Sequence, residues 1–451
     1  MRRFVVRHKV ILLICLLALV IRVAFFLALQ PWDEEGLKEN LLITDAKGYH
    51  QIALEILSCG GYPSSETFRT PVYPLFVAMM YSLFAGKLAA VLLLQVLLDV
   101  VVVFLTYLLG MEVFESRGTG QVAGFLYAIS LLPPYFCTRL RTEILFTLIL
   151  VIGVLIFVKA LKVLRPWTFA LAGLLIGVAT LVKPATLLLP VLMGAVAVWQ
   201  GRGGRPRRAV IGAVVLLAAF AVTISPWQFR NYRLYGHYAL SSIQSTNMCY
   251  WSVAMTKAHT EGTSREEALE ELVGTSVEGI TNPFDQGPIL NRIAFEYIRT
   301  HVADYIYCHM KGTMNVFLGT AKGGVLKTFR PGWEGWSEDV PLAETTWART
   351  ARLLRSAREE YFLGPLLATK QLIEYAFVIV GCVVVFHSRE KRLYVVFLIL
   401  ATLYFAGVSG VIGHARYKVP TIPLYLAVSA RGFFEIFEVR KRRRRRAGST
   451  D

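Results

Sequence analysis

The chain has 451 residues, of which 55% are hydrophobic and only 18% charged, and its mean hydropathy is +0.51; these values exclude an ordinary soluble enzyme. Lysine and arginine outnumber aspartate and glutamate by 48 to 31, giving a net charge of +17. Seven of the basic residues form an unbroken run from Arg440 to Arg446 directly after an apolar stretch, the pattern of a solvated end facing anionic lipid headgroups rather than of a nucleic-acid patch.

In chain order, the first feature is MRRFVVRHK followed by 20 apolar residues. With no small-residue cleavage site after it, this reads as a retained first span rather than a signal peptide. Apolar stretches at about 10–29, 88–110, 119–137, 143–160, 167–182, 186–199, 209–226, 366–386, 394–411 and 419–437 predict an all-α polytopic membrane protein with about ten transmembrane helices. The fifth and sixth share a tight turn at Lys183-Pro184, where proline breaks the helix. With the N-terminus in the cytoplasm, the inner segments carry 22 basic residues and the short outer connections five: Arg139, Arg141, Lys183, Arg416 and Lys418. The positive-inside bias therefore puts both termini on the cytoplasmic side.

Four regions follow from this count: a membrane module over 1–226 containing a first outer loop at 30–87, an outer segment over 227–365, membrane helices over 366–437 and a basic tail over 438–451. Within the outer segment, Ile289, Ile293, Tyr297 and Ile298 recur near helical spacing, predicting a helix that lies on the membrane surface or packs on the bundle, and a small outer-face domain. The six cysteines show no metal or CxxC spacing.

In the first outer loop, TDAKGYHQIALEILSCGGY reads as a surface helix opened by Asp45 and stopped at Gly60-Gly61. Asp45, or Thr44 beside it, can serve as a helix cap; alternatively, Asp45 is a general base poised at the bilayer surface. ETFRTPVYPLFVAMMYSLFAG then supplies an apolar run too short to span, predicted to dip into the interface.

DAKGYHQIA, GGY and FRTPVYPLF, followed by RTEILFT (141–147), GLLIGVATLVKPATLLLP (173–190), SPWQFRNYRLYG (225–236) and ARYKVPTIP (415–423), together resemble the GT-C class of membrane glycosyltransferases. The resemblance is to glycosyltransferase family 39 and its bacterial relatives, the protein O-mannosyltransferases and aminoarabinose transferases. It implies a GT-C-like helix arrangement in a bacterial-type inner membrane and inverting transfer of a sugar, on the outer face, from a polyprenyl-phosphate donor to a hydroxyl of a protein, lipid or glycan. It further implies Asp45 as the catalytic acidic residue of the first loop, with Glu143 as a second acidic residue that orients the acceptor or Asp45.

The departing phosphate needs cations, and the candidates are Lys183, Arg416, Arg141, Arg230 and Arg69. Each also suits interfacial snorkelling. Lys183 stands where relatives often have arginine, keeping a point charge but losing fork geometry. Tyr49 and Tyr417 are candidate pocket residues, Tyr417 being equally suited to an aromatic belt. No compelling metal-ligand set is present, since His50, Glu55 and Asp45 share one helix but suit a wet surface, so catalysis without a metal or other cofactor is expected.

Arg22 and Asp99 fall near the middle of the first two spans, where isolated charges are costly, and are predicted to form a structural ion pair. The competing function classes are a transporter or flippase of lipid-linked sugars, against which the charges gather at one face without two-half symmetry, and a membrane polymerase or ligase. Selectivity is expected from 237–365, including the paired tryptophans of GWEGWSED (332–339), which either stack on sugars or anchor the loop.

Overall fold

The computed structural model describes residues 2–320, 322–329, 363–386 and 391–447; the tryptophans of 332–339 lie outside them, as do the side chains of the basic tail. Among the described residues every regular element is helical, and the chain is an integral membrane protein. Seven helices are long and apolar enough to cross a bilayer: Lys9–Leu27, Leu88–Phe114, Glu143–Val163, Pro184–Gly201, Pro206–Tyr235, Leu363–Phe386 and Arg392–Ile412. These coincide with seven of the ten expected spans.

The other three expected spans differ for local reasons. Instead of one helix over 119–137 there are two, α6 (Arg117–Ala128) and α7 (Leu132–Cys137), the second carrying prolines at its start, where the missing N–H groups cannot continue a preceding helix. The apolar helix α9 (Pro166–Val182) has 17 residues. The last begins as a 3-10 strap, Ala415–Thr421, before becoming regular over Ile422–Ala447.

The remaining helices that frame the molecule are α1 (Arg2–Leu27), α2 (Glu34–Leu41), α3 (Asp45–Cys59), α4 (Val72–Leu83), α5 (Leu88–Phe114), α8 (Glu143–Val163), α10 (Leu189–Gly201) and α11 (Pro206–Tyr235). Small residues let them approach closely, as membrane helices require: a Cβ on Gly173 of α9 would collide with the Leu216 carbonyl of α11. Their outward faces stay apolar, with Leu13, Leu16 and Val20 of α1 each more than half exposed, as expected of surfaces facing lipid rather than water.

After α11 the chain forms a smaller helical unit. Its buried cluster contains Cys249, Val253, Val273, Leu290, Ala294 and Tyr297. The helix Pro283–Thr300 buries Leu290, Ala294 and Tyr297, and Ile293 and Ile298 of the predicted stripe pack, partly buried, against the same cluster.

Two buried networks fix the frame. Arg22 Nε donates to Asp99 Oδ2 at 2.9 Å with both side chains at 0% exposure. Arg22 also donates to the Tyr127 and Ala128 carbonyls at the end of α6, and the Tyr127 hydroxyl donates to Asp99 Oδ1 at 2.8 Å. One guanidinium thus ties α1, α5 and the negative end of the α6 dipole together. Higher on α5, Gln95 donates to the Cys137 and Arg139 carbonyls (3.1 and 2.8 Å) and accepts from the Tyr73 hydroxyl at 2.8 Å. It thereby sets the loop leading into α8 against α4.

Candidate active site

Asp45 is the first residue of α3, yet it caps nothing. The N-cap position is Thr44, which makes no side-chain capping bond and sits at φ +48°, a conformation that costs a β-branched residue about 1–3 kcal/mol and persists only where the surroundings impose it. The Thr44 hydroxyl lies 3.5 Å from Arg141 Nη2. The Asp45 carboxylate turns instead to the strap: Arg416 Nη1 donates to Oδ2 at 2.9 Å, across 371 positions of sequence. On its other side Arg69 Nη2 stands 3.9 Å from Oδ1.

Arg69 is held in place from both ends. Glu66 Oε1 accepts the backbone N–H groups of Phe68 and Arg69 at 2.6 and 2.7 Å, and the Tyr62 hydroxyl donates to the Arg69 carbonyl at 3.1 Å. Its guanidinium crosses α3 above the Tyr49 ring, 4.9 Å from the centroid, through a gap that exists because residue 48 is glycine; a Cβ there would strike the guanidinium. Tyr49 in turn meets Tyr73 edge to face at 4.8 Å, which links α3 to the Gln95 network.

The second carboxylate, Glu143, opens α8 and is 97% buried. Lys183 Nζ, at the end of α9, donates to Glu143 Oε1 at 3.2 Å, so the Lys-Pro turn and the start of α8 share one end of the bundle. The Lys183 ammonium also lies 4.9 Å from the centre of the Tyr417 ring, as does the Arg416 guanidinium, and Arg416 Nη2 donates to the Tyr417 hydroxyl at 3.0 Å. Tyr417 is thus a shared wall between the two ion pairs, worth about 0.5–2 kcal/mol per cation depending on desolvation.

Electrostatics follow from this geometry. Burial alone would raise the Asp45 carboxyl, but the charges of Arg416, Arg141 and Arg69 and the bond from Arg416 outweigh it and hold it below its usual value. For Tyr417 burial again pushes upward, and Arg416 and Lys183 prevail to make the phenol more acidic than usual. Four cations, Arg69, Arg141, Lys183 and Arg416, surround two carboxylates, which leaves two positive charges uncompensated. Two buried polar atoms here lack hydrogen-bond partners, Glu143 Oε2 and Arg416 Nε. A cluster with surplus positive charge and open polar valences accepts an anion together with a hydrogen-bonding group.

Of the expected residues, Asp45, Tyr49, Arg69, Arg141, Glu143, Lys183, Arg416 and Tyr417 converge. Arg230 stands apart: its guanidinium donates to the Pro63 and Glu66 carbonyls and to Asn231 Oδ1 and rests on the Trp227 ring at 4.5 Å, bracing the loop that leads to Arg69. His50 Nδ1 is 2.7 Å from the Tyr81 hydroxyl, and no group of three or more metal-ligating side chains gathers among the described residues.

Sequence reading missed Glu66, Gly48 and Tyr73 as supports, and it missed a polar face inside the helix Leu363–Phe386. There Lys370 bonds Glu374 and Ser130 Oγ, and Gln371 Oε1 accepts from Lys418 of the strap at 2.5 Å. The Lys-x-x-x-Glu spacing within an otherwise apolar run was the available signal. Lys418 also donates to the Phe317 and Gly319 carbonyls at 3.3 and 2.6 Å, fastening the strap from the side opposite Arg416.

Residues 68–228 match the family described as dolichyl-phosphate-mannose-protein mannosyltransferase, a stretch that holds Arg69, Arg141, Glu143 and Lys183 but neither Asp45 nor Arg416. No curated protein sequence matches the chain. Among solved structures, the Archaeoglobus fulgidus oligosaccharyltransferase tethered to an acceptor peptide is 16% identical with a TM-score of 0.55, covering 96% of this chain and 50% of that one. The oligosaccharyltransferase AglB of the same organism, in complex with an inhibitory peptide and a dolichol-phosphate, is 14% identical with a TM-score of 0.53 over 98% of this chain and 51% of that one. ArnT from Cupriavidus metallidurans bound to undecaprenyl phosphate is 14% identical over 94% of this chain and 78% of that one, at a TM-score of 0.38. The chain spans about half the length of the oligosaccharyltransferases whose fold it shares. In family match and in fold, this protein resembles the GT-C membrane glycosyltransferases.

Proposed function

We propose that this protein is an inverting glycosyltransferase of the inner membrane that takes a sugar from a polyprenyl-phosphate donor and delivers it to a hydroxyl on the outer face, with both termini cytoplasmic. The observation that carries the reading is the half-exposed Asp45 carboxylate, 2.9 Å from Arg416, at the centre of a site with two surplus positive charges. A lipid-borne phosphodiester supplies one negative charge on binding and more as its bond to the sugar breaks, which is what such a surplus stabilises.

In the transfer, the acceptor oxygen attacks the anomeric carbon from the face opposite the phosphate. A new carbon–oxygen bond forms there as the bond to the phosphate oxygen breaks, and that oxygen keeps the electron pair. Asp45 takes the acceptor's proton. Arg416, Arg69 and Arg141 hold the phosphate, Lys183 adds a point charge, and Glu143 Oε2, lacking a partner, accepts a hydrogen bond from the acceptor or the sugar. Tyr49 and Tyr417 wall the pocket. Arg230 acts at one remove, by bracing the loop before Arg69. No step in this scheme requires a metal, because the four cations do the work a divalent ion does for diphosphates. Which sugar and which acceptor are used depends on the smaller helical unit and the segment around it.

The test is reconstitution with a radiolabelled polyprenyl-phosphate sugar and a panel of hydroxyl acceptors. Asp45→Asn is expected to lower kcat about 10²–10⁴-fold, the usual yield of a positioned general base, while still binding donor. Equal turnover by both proteins would remove Asp45 from the chemistry, and no consumption of donor with any acceptor would remove the reading itself.

A further inference from the structure

The groups best suited to hold a phosphate are engaged with the protein's own side chains. Arg416 spends one nitrogen on Asp45 Oδ2 at 2.9 Å and another on Tyr417, Arg69 approaches Asp45 Oδ1 to 3.9 Å, and the field of Arg141 reaches the same carboxylate. A base clasped by three arginines is a poor base, since their charges hold its carboxyl below the usual range against the upward pull of burial and so weaken its hold on a proton. The same arginines are poor phosphate ligands while they face a carboxylate. The two requirements of the reaction therefore conflict while these contacts stand.

Resting on the function proposed above, we propose that Asp45 is a stand-in for the donor: its carboxylate occupies the arginine cradle that the phosphate takes, donor binding is an exchange of carboxylate for phosphate on Arg416, and Asp45 becomes a competent base only after it. The charge facing Arg416 is the same before and after the exchange, because a phosphodiester and a carboxylate each carry one negative charge, while the positive surplus of the whole site falls by one. No group is ionised or neutralised to admit the donor. Geometry allows it: Nη1 and Nη2 of Arg416 form one edge, so a phosphate can engage both in the two-pronged manner guanidinium favours, taking Nη1 from Asp45, which engages it alone, and Nη2 from the Tyr417 hydroxyl. The opposite side of the strap is fastened by Lys418 to the Phe317 and Gly319 carbonyls and to Gln371, which keeps Arg416 in place while its partner changes. The consequence is a compulsory order, with donor bound before an acceptor proton can be taken, and protection against deprotonating water at an empty site.

The experiment measures binding of a farnesyl methyl phosphodiester, a monoanion without a sugar, to the full-length protein in nanodiscs. It compares wild type, Asp45→Asn, Asp45→Ala, Arg416→Gln and the double variant Asp45→Asn/Arg416→Gln. Exchange predicts about tenfold tighter binding for both Asp45 variants, and loss of most of that gain in the Arg416→Gln background, because the two groups compete through one contact. The double variant separates competition from the general effect of deleting a negative charge, which would persist without Arg416. Binding equal to or weaker than wild type in both Asp45 variants, or a gain undiminished without Arg416, overturns the exchange while leaving the phosphate site standing. If wild type fails to bind the phosphodiester at all, the phosphate site and the proposed function fall with it.

Discussion

Arg22 with Asp99 and Arg416 with Asp45 are each joined at 2.9 Å, yet the first pair is at 0% exposure and the second leaves 22% and 41% of its side chains exposed. In the first, one cation faces one carboxylate, and the spare donors and acceptors are taken by Tyr127 and two backbone carbonyls. In the second, cations outnumber carboxylates by two, and polar atoms stay unmatched. A balanced, saturated network inside a bundle offers nothing to a ligand and serves to fix helices. An unbalanced one at the bundle's end is arranged for a charge that has yet to arrive. Function in this fold is better marked by imbalance than by burial.

The largest stability effect should therefore come from the balanced pair. Asp99→Asn or Arg22→Met leaves a buried group without its partner, and removing one member of such a pair costs about 3–5 kcal/mol; thermal unfolding in detergent should show a large drop and expression should fall. Arg416→Gln should cost about 1 kcal/mol or less, as half-exposed pairs do, while abolishing transfer. An Asp99→Asn protein with unchanged melting but lost activity would invert the comparison and move the buried pair into the reaction.

The acid limb of the pH profile sharpens the same contrast. As the proposed base Asp45 must be ionised, and the arginines around it hold its carboxyl low, so kcat/KM should stay flat from neutral pH down through the usual carboxylate range and fail only below it. Stability follows the same sign: the contribution of a depressed carboxyl is present above its unfolded value and is lost as pH falls through the folded one. In the Arg416→Gln protein both the onset of acid unfolding and any residual acid limb should move to higher pH. In wild type the limb in kcat, which reports the donor complex, should lie above the limb in kcat/KM, which reports the free enzyme. Coincident limbs would mean that donor binding leaves the surroundings of Asp45 unchanged.

Much of this site was legible because charge is sparse beside apolar runs. Arg141, Glu143, Lys183 and Arg416 all fall where a span begins or ends, and alternation of spans alone brings such ends together, while Asp45 opens the surface helix of the first outer loop. Motif order gave the class, and composition gave the membrane. What escaped was direction. Arg230 lies at the end of a span like the others, but stacking on Trp227 turns it toward the loop carbonyls, a choice made by tertiary contact that no spacing encodes. The break between α6 and α7 was written in Leu132-Pro133-Pro134 yet was overridden by an apolar window. The face of Lys370, Gln371 and Glu374 was hidden by the same averaging, because three polar residues barely lower the hydropathy of a 24-residue helix. Gly48 was beyond reach: its requirement comes from Arg69, which reaches it from a separate loop.

The smallest effect is expected from Tyr417→Phe. The ring remains between Lys183 and Arg416 at 4.9 Å from each, so the cation–π contacts survive, and only the bond from Arg416 Nη2 to the hydroxyl at 3.0 Å is lost. A hydrogen bond involving a charged group contributes about 1.5–3 kcal/mol when fully buried, but here a released Nη2 can turn to the phosphate instead. If that donor is recovered in the complex, the phosphodiester should bind the variant at least as tightly as wild type, and kcat should change by about threefold or less, well under 1.4 kcal/mol. A hundredfold loss of kcat at unchanged donor affinity would give the hydroxyl a part in the chemistry. It would show that a phenol made acidic by two cations handles a proton, and the site would then have a second group able to serve beside Asp45.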